Sequence, residues 1–269
     1  MATLGLFLAV LVGISLGLIG SGGSILTVPI LVYIVGIEPV VATAYSLFIV
    51  GSTALVGGLQ NARQGKVDFK TAIIFGIPSI VSIYFIRLYV MPLIPQELLH
   101  IGHFALSKNM GLMVFFAFFM MLASTFMIRP SKQTPDENSQ VNITPKDYPF
   151  ILLRGLGVGT LAGLVGAGGG FLIIPALVLL AKMPMKRAIG TSLFIIAAQS
   201  LLGFLGDLQR NPDIQWPLLL GFSAASVSGI FVGNYLGKFI SGAKLKTSFG
   251  WFVLVMGLYI VSREIIGQL

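Results

Sequence analysis

Two clusters of glycine interrupt apolar stretches of this sequence, and their composition suits anion binding. The first is GSGGS at residues 20–24 and the second is GAGGG at residues 166–170. Small residues ahead of a helix leave the backbone N–H groups of its first turn open to a ligand. Such a helix start carries about half a positive charge and binds anions without a basic side chain. The residues predicted to bind are Gly20, Ser21, Gly22, Gly23, Ser24, Gly166, Gly168, Gly169 and Gly170.

The alternative role for these glycines is close packing between membrane helices, as in the GxxxG pattern. That packing is expected at the glycines Gly13/Gly17, Gly159/Gly163 and Gly229/Gly233/Gly237. Consecutive glycines flanked by serine give no continuous packing face. We therefore favour anion binding at the two clusters.

Few polar side chains fall inside the apolar segments, and each is a candidate for contact with a ligand. Ser46 and Ser192 occupy equivalent positions in the helices that follow the two clusters, and Gln199 lies in the middle of an apolar segment. Hydrogen bonding between helices explains these three residues equally well. Asn61, near the end of its segment, is expected to be solvated or interfacial.

Patterns typical of enzymes are weak in this chain. Residues 13–17 spell G-x-S-x-G, but they lie in an apolar helix, and His100 and His103, the only histidines, belong to another segment. No His, Asp or Glu cluster has the spacing of a metal site. We expect neither catalysis nor a cofactor.

The composition places the chain in a membrane. Of its 269 residues, 56% are hydrophobic and 10% are charged, so a soluble fold lacks enough polar residues for its surface. Apolar runs that approach the roughly 20 residues of a spanning helix recur along the chain, and the alternating pattern of a membrane barrel is absent. Although the net charge is +8, Lys and Arg lie between the apolar runs, so we expect no nucleic-acid partner.

The chain contains an internal duplication. Residues 18–59 align with residues 164–205 without a gap, with 16 identities in 42 positions. LIGSGGSILTVPILV lies over LVGAGGGFLIIPALV, so Pro29 superposes on Pro175. Apolar composition alone does not align glycines, a proline and a serine at one offset.

The duplication divides the chain into three parts. We predict a first transmembrane repeat at residues 1–128, a polar cytoplasmic linker at 129–148 and a second repeat at 149–269. The apolar segments are predicted at 2–19, 24–36, 40–60, 69–91 and 109–128, and at 149–165, 170–181, 187–206, 215–237 and 247–266. The segment after each glycine cluster is too short for an ordinary span, so each repeat begins with a broken or re-entrant hairpin and continues with three spans.

The basic residues indicate how the two repeats are oriented. Four basic groups, at 63–70, 129–154, 182–187 and 238–246, hold 13 of the 17 Lys and Arg. If all four groups face the cytoplasm, residues 149–181 enter the membrane from inside and residues 2–35 from outside. The predicted fold is thus an all-α integral membrane protein of two inverted repeats, the plan of many secondary transporters.

The duplicated motifs resemble those of the TauE/SafE sulfite exporter family, also called the 4-toluenesulfonate uptake permease family. The resemblance rests on GLIGSGGSILTVPIL, GLVGAGGGFLIIPAL and the matching YSLF and TSLF, and it covers nearly the whole chain. It implies transport of sulfite or organosulfonates across the bacterial inner membrane, usually outward. The family motif falls on Gly20, Gly22, Gly23, Pro29, Gly166, Gly168, Gly169 and Pro175.

The expected function is secondary transport of a small sulfur-containing anion, held near the midplane by the two glycine breaks. The alternatives are an anion channel and a transporter of another oxyanion or a carboxylate. The expected partners are the small anion and the lipid bilayer, and association into a homo-oligomer stays open.

Overall fold

The computed structural model describes residues 2–37, 39–90, 97–101, 104–129, 148–165, 170–180, 183–208 and 214–266, together with 93 and 95. The helices of the first repeat are α1 (Ala2–Ile19), α2 (Gly22–Pro29), α3 (Pro39–Arg63), α4 (Phe69–Phe85) and α5 (Lys108–Ile128). Those of the second repeat are α6 (Tyr148–Val165), α7 (Gly170–Pro175), α8 (Met185–Leu208), α9 (Trp216–Leu236) and α10 (Gly242–Ile266). They follow the predicted apolar segments closely.

Three of the described helices continue as short π-helices. The π-helical part of α2 covers Ile30–Val35, that of α4 covers Ile86–Val90 and that of α7 covers Ala176–Leu180. In α2 and α7 the π-helix begins directly after the aligned prolines, so the two copies share this local structure.

The connection between α4 and α5 contains a short β-hairpin that the hydropathy pattern did not indicate. Strand β1 (Glu97–Ile101) pairs antiparallel with β2 (Phe104–Ser107). The remaining described elements are helical.

The described helices form an integral membrane fold. Helices α3, α8, α9 and α10 each contain a stretch long and apolar enough to cross a membrane, and α1, α4 and α6 are apolar but shorter. Large apolar side chains are exposed on the outer helices, as on a lipid-facing surface. Examples are Phe7, Ile73, Phe118, Phe231 and Trp251.

Helices α3 and α8 form the centre of the fold. In each, 67% of the apolar stretch is buried, against 28% in α10. Around this pair, α1 packs on α9, α4 packs on α6, α5 packs on α10, and the short helices α2 and α7 contact each other. Exchanging equivalent helices of the two repeats leaves this set of pairs unchanged, so the contacts have an internal two-fold pattern.

The directions of the helices follow from residue pairs. Gly51 lies against Leu201 and Gly58 lies against Phe194, so α3 and α8 are antiparallel. Helices α3 and α9 are parallel, because Gly57 lies against Ile230 and Asn61 bonds Asn234. Helices α4 and α8 are also parallel, because Gly76 lies against Ile195 and Ser79 bonds Gln199.

Glycines bring the outer helices close to their partners, as the sequence predicted. A Cβ added at Gly13 or Gly17 of α1 would collide with the backbone of α9, and Gly229 and Gly233 of α9 face α1 in the same way. At Gly159 of α6 an added Cβ would collide with the backbone of α4. Gly237 faces only its own helix, so its predicted packing role is wrong.

The described basic residues of the four groups lie at one end of the helix bundle, which we call the basic end. This end gathers the end of α3, the start of α4, the start of α8 and the end of α9, since Asn61 bonds Asn234 and Gly190 touches Lys66. The start of α6 lies at the same end, because Gly155 packs on Phe75 of α4. The start of α10 follows the end of α9, and Gly250 packs on Ile128, so the end of α5 lies there too. The residues are Arg63, Lys66, Lys70, Arg129, Arg154, Lys186, Arg187, Lys238, Lys244 and Lys246.

Candidate functional site

The first glycine cluster breaks the hairpin in a conformation that requires glycine. α1 ends at Ile19, and Gly20 has a φ of +83°, in the left-handed region that L side chains rarely adopt. Ser21 is the N-cap of α2 and makes no side-chain capping hydrogen bond. The amides of Gly22 and Gly23 therefore begin α2 without a side-chain cap, which is the helix start that the sequence predicted.

The break is buried against the second copy. A Cβ added at Gly20 would lie 2.9 Å from Ile174 Cδ1, 3.0 Å from Ser192 Oγ and 3.1 Å from Ile189 Cα. Ser21 and Gly23 are buried as well. The positive start of α2 thus points into protein, next to a hydroxyl contributed by the other repeat.

The second cluster is described only at its last residue. Gly166, Gly168 and Gly169 lie outside the described residues, while Gly170 begins α7 and is buried. Contact between α2 and α7 places the short helices of the two repeats side by side.

The two equivalent serines occupy different levels of the bundle. Ser192 is buried beside Gly20, and its hydroxyl donates to the Ile189 carbonyl at 2.9 Å. Ser46 is also buried, but the pairing of Leu47 with Gly203 places it at the opposite end of the α3–α8 contact. At 1.5 Å per residue the two serines lie about 20 Å apart along the helix axes. The structure therefore brings Ser192 to the first break and leaves Ser46 far from it. The side chain of Ser24 is not described.

Gln199 faces the protein interior, as predicted. It is 8% exposed, and its Nε2 donates to Ser79 Oγ of α4 at 2.9 Å. Among the described residues, Gln199 Oε1 has no hydrogen-bond partner. A buried acceptor left unpaired costs about 1–3 kcal/mol, so this oxygen is a strong candidate for contact with a ligand.

Gln199 and Ser192 lie on the same face of α8. Seven residues separate them, which is close to two helical turns and about 10 Å along the axis. The face begins at the first break, near the basic end, and reaches Gln199 near the middle of α8. One side of α8 thus connects the start of α2 with an unpaired amide oxygen.

Buried polar side chains around these helices are neutral. The described ones are Ser21, Thr27, Ser46, Thr53, Asn61, Thr71, Ser79, Ser82, Ser124, Thr191, Ser192, Gln199, Ser200, Ser223, Ser226 and Asn234. Within the described part of the chain, no group of three or more His, Cys, Asp or Glu could hold a metal ion. An anion in this interior depends on backbone dipoles and neutral donors.

An amide cluster at the basic end was missed from the sequence. Asn61 is only 6% exposed, so its expected solvation is wrong. Its Nδ2 donates to the Gly57 carbonyl at 2.9 Å and to Asn234 Oδ1 at 3.4 Å, and Asn234 Nδ2 donates to Gln60 Oε1 at 2.7 Å. The cluster links α3 to α9 beside Gly17 of α1, where an added Cβ would lie 2.7 Å from the backbone nitrogen of Asn234. One signal in the sequence was available: the four-residue spacing of Gly57 and Asn61 places both residues on one face of α3.

Ser79 was also missed. It is fully buried in α4, directly after Pro78, and supplies the hydroxyl that Gln199 contacts. Nothing in the local sequence links it to a residue 120 positions away.

The fold and the buried break define a polytopic membrane protein with polar contacts inside its helix bundle, the class to which membrane transporters belong. The chain belongs to the sulfite exporter TauE/SafE family, whose model matches residues 5–260.

Relatives of this chain are named as membrane transporters. A probable membrane transporter protein of Xylella fastidiosa (strain 9a5c) is 29% identical over 260 residues, which cover 94% of this chain and 92% of the relative. A probable membrane transporter protein of Methanocaldococcus jannaschii is 28% identical over 273 residues, covering 94% of each chain. The Bacillus subtilis protein YunE, also named a probable membrane transporter protein, is 28% identical over 268 residues, covering 91% of this chain and 89% of YunE. No solved structure matches the chain.

Proposed function

We propose that this protein is a secondary transporter that exports small sulfur-containing anions, such as sulfite or organosulfonates, across the bacterial inner membrane. The family name and the names of the relatives support transport. The observation that carries the proposal is the first break: an uncapped helix start, buried in protein, with Ser192 of the other repeat against it.

The inverted arrangement of the repeats belongs to this proposal, and the helix directions support it. α1, α3 and α9 are mutually parallel through their contacts, and so are α4, α6 and α8. Since α3 and α8 are antiparallel, α1 and α6, the first helices of the two repeats, run in opposite directions. With the basic end in the cytoplasm, the second hairpin enters from inside and the first from outside.

The sequence predicted that both breaks hold the anion near the midplane, whereas the transport cycle proposed here uses the two breaks at different depths. Ser192 marks the level of the first break, and Ser46 marks the level expected for the second, so each break serves one half of the membrane. Gly166, Gly168, Gly169 and Gly170 would supply the second set of amides. Alternating access would move the anion between these levels as one repeat shifts against the other.

Purified protein in liposomes tests this function. We expect saturable movement of labelled sulfite or methanesulfonate and its acceleration by unlabelled anion on the opposite side. Flux without such counterflow would indicate an anion channel instead. Preference for a carboxylate or another oxyanion in competition would change the substrate class, and no flux of any anion would contradict transport.

A further inference from the structure

The unpaired oxygen of Gln199 is a group that could distinguish between ionic forms of the substrate. This inference rests on the proposed function. The amide nitrogen of Gln199 donates one of its two hydrogens to Ser79, while the amide oxygen has no partner among the described residues. The unmet group of this side chain is therefore an acceptor. A fully ionised oxyanion has only acceptors on its oxygens, so it cannot bond this oxygen.

The charge of the interior points the same way. No buried side chain among the described residues carries a charge, and a helix start supplies only about half a positive charge. The cost of removing an ion from water grows with the square of its charge, so a dianion costs about four times as much as a monoanion. This interior therefore suits a single negative charge.

We propose that sulfite is carried as hydrogensulfite, its singly charged form that keeps one acidic hydrogen. Organosulfonates are also singly charged but lack this hydrogen, so they pass without the contact to Gln199 Oε1. The negative oxygens bind the amides of Gly22 and Gly23 at the first break. The acidic hydrogen bonds Gln199 Oε1 when the anion has moved along α8 to that level. The anion carries its own proton across the membrane, and no side chain changes its protonation state.

Around α8, the described residues place no charged side chain in the buried interior at the level of Gln199. The helices packed on α8 are α3, α4, α7 and α10, and their titratable residues lie toward their ends. The described ones are Tyr45, Arg63, Lys70, Tyr84, Lys244, Lys246 and Tyr259, with Asp68 directly before α4.

Equilibrium exchange in liposomes, with equal pH on both sides, tests the proposal with the wild-type protein. At constant total sulfite, the exchange rate rises as pH falls through the second ionisation of sulfurous acid, following the singly protonated form. Exchange of methanesulfonate, which is fully ionised and has no acidic hydrogen, stays constant over the same range. A sulfite rate that follows the dianion overturns the proposal.

Gln199→Leu separates the role of the amide oxygen. We expect sulfite exchange to fall about tenfold more than methanesulfonate exchange, as for the loss of one hydrogen bond to a substrate hydroxyl. Thr53→Leu, at the equivalent position of the first repeat, leaves the ratio of the two rates unchanged. Equal losses for both anions in Gln199→Leu overturn the proposal, whereas absence of exchange in the wild type overturns the proposed function itself.

Discussion

The two repeats share a backbone plan but place different polar groups at the same level. Thr53 on α3 and Gln199 on α8 are equivalent in the duplication, and the pairing of Gly51 with Leu201 puts them at one height on the antiparallel pair. Thr53 Oγ1 donates to Ile49 of its own helix at 2.6 Å, while Gln199 reaches across to α4. The first repeat therefore satisfies its polar group locally, and the second leaves an acceptor available.

Packing residues are shared by the two repeats, whereas some buried polar residues differ between them. Gly13 and Gly159 are equivalent and have the same role, because each admits the backbone of a helix from the other repeat. Duplicated glycines hold two similar halves together, while unmatched polar side chains make the interiors of the two halves chemically different. The following substitutions test this division.

The largest effect is expected where equivalent glycines hold the two halves together. Gly13→Leu and Gly159→Leu each force a side chain into the backbone of a partner helix, at Ser226 and Ser79 respectively. Overpacking costs about 1–3 kcal/mol and more where backbone must move, so we expect little folded protein from either variant. The monodisperse fraction after size-exclusion chromatography in detergent measures this.

Gly157→Leu is the matched control, because nothing lies within 4 Å of an added Cβ on that side of α6. It should behave as the wild type. If Gly159→Leu also behaved as the wild type, the packing role assigned to the duplicated glycines would be wrong.

The next effect concerns the first break. Gly20→Ala costs about 1–2 kcal/mol because alanine must adopt a left-handed conformation, and its Cβ also comes too close to Ile174 and Ser192. Gly36→Ala has the same conformational cost, since Gly36 has a φ of +81°, but an added Cβ at Gly36 meets no atom within 4 Å. We expect anion flux per folded protein to fall about tenfold or more in Gly20→Ala only, as for a binding loss near 1.4 kcal/mol. Equal flux in the two variants would remove the break from the transport path.

A smaller effect is expected at the amide cluster of the basic end. Asn61→Leu leaves Asn234 Oδ1 without its donor in a buried place, at a cost of about 1–3 kcal/mol. Thermal unfolding in detergent measures the loss. The double variant Asn61→Leu/Asn234→Leu should lose less than the sum of the single changes, and additive losses would show that the two amides are not coupled.

The smallest effect is expected at Thr53. Thr53→Val keeps the shape of the side chain and removes only a bond within α3, so we expect a stability change below about 1 kcal/mol. Transport should be nearly unchanged. A large loss of flux would mean that the first repeat contributes a polar contact to the path after all.

The sequence was sufficient to locate the helices. Hydropathy placed the segments now seen as α1 to α10, and the aligned glycines and prolines located α2 and α7. These features depend on local composition and length, which a single sequence records directly. The π-helical form of the continuations of α2 and α7 was not predicted.

The hydrogen-bond partners of the buried side chains could not be predicted from the sequence. Gln199 was predicted to face inward, but its partner Ser79 lies 120 positions away, and Asn61 and Asn234 are 173 apart. Which residues meet depends on the register between helices, and one sequence does not record that register. The separation of Ser46 from Ser192 has the same origin, because duplication makes them equivalent without making them neighbours.

Stabilisation by the anion is the most direct test of the buried break as a binding site. At constant ionic strength, methanesulfonate or sulfite should raise the unfolding temperature of the wild type and of Gly36→Ala relative to chloride, in a saturable way. Ligand at 100 times its dissociation constant stabilises the folded state by about 2.7 kcal/mol, and Gly20→Ala should lose that gain. An unchanged unfolding temperature in the wild type, or the same rise in Gly20→Ala, would contradict the binding of the anion at the first glycine break.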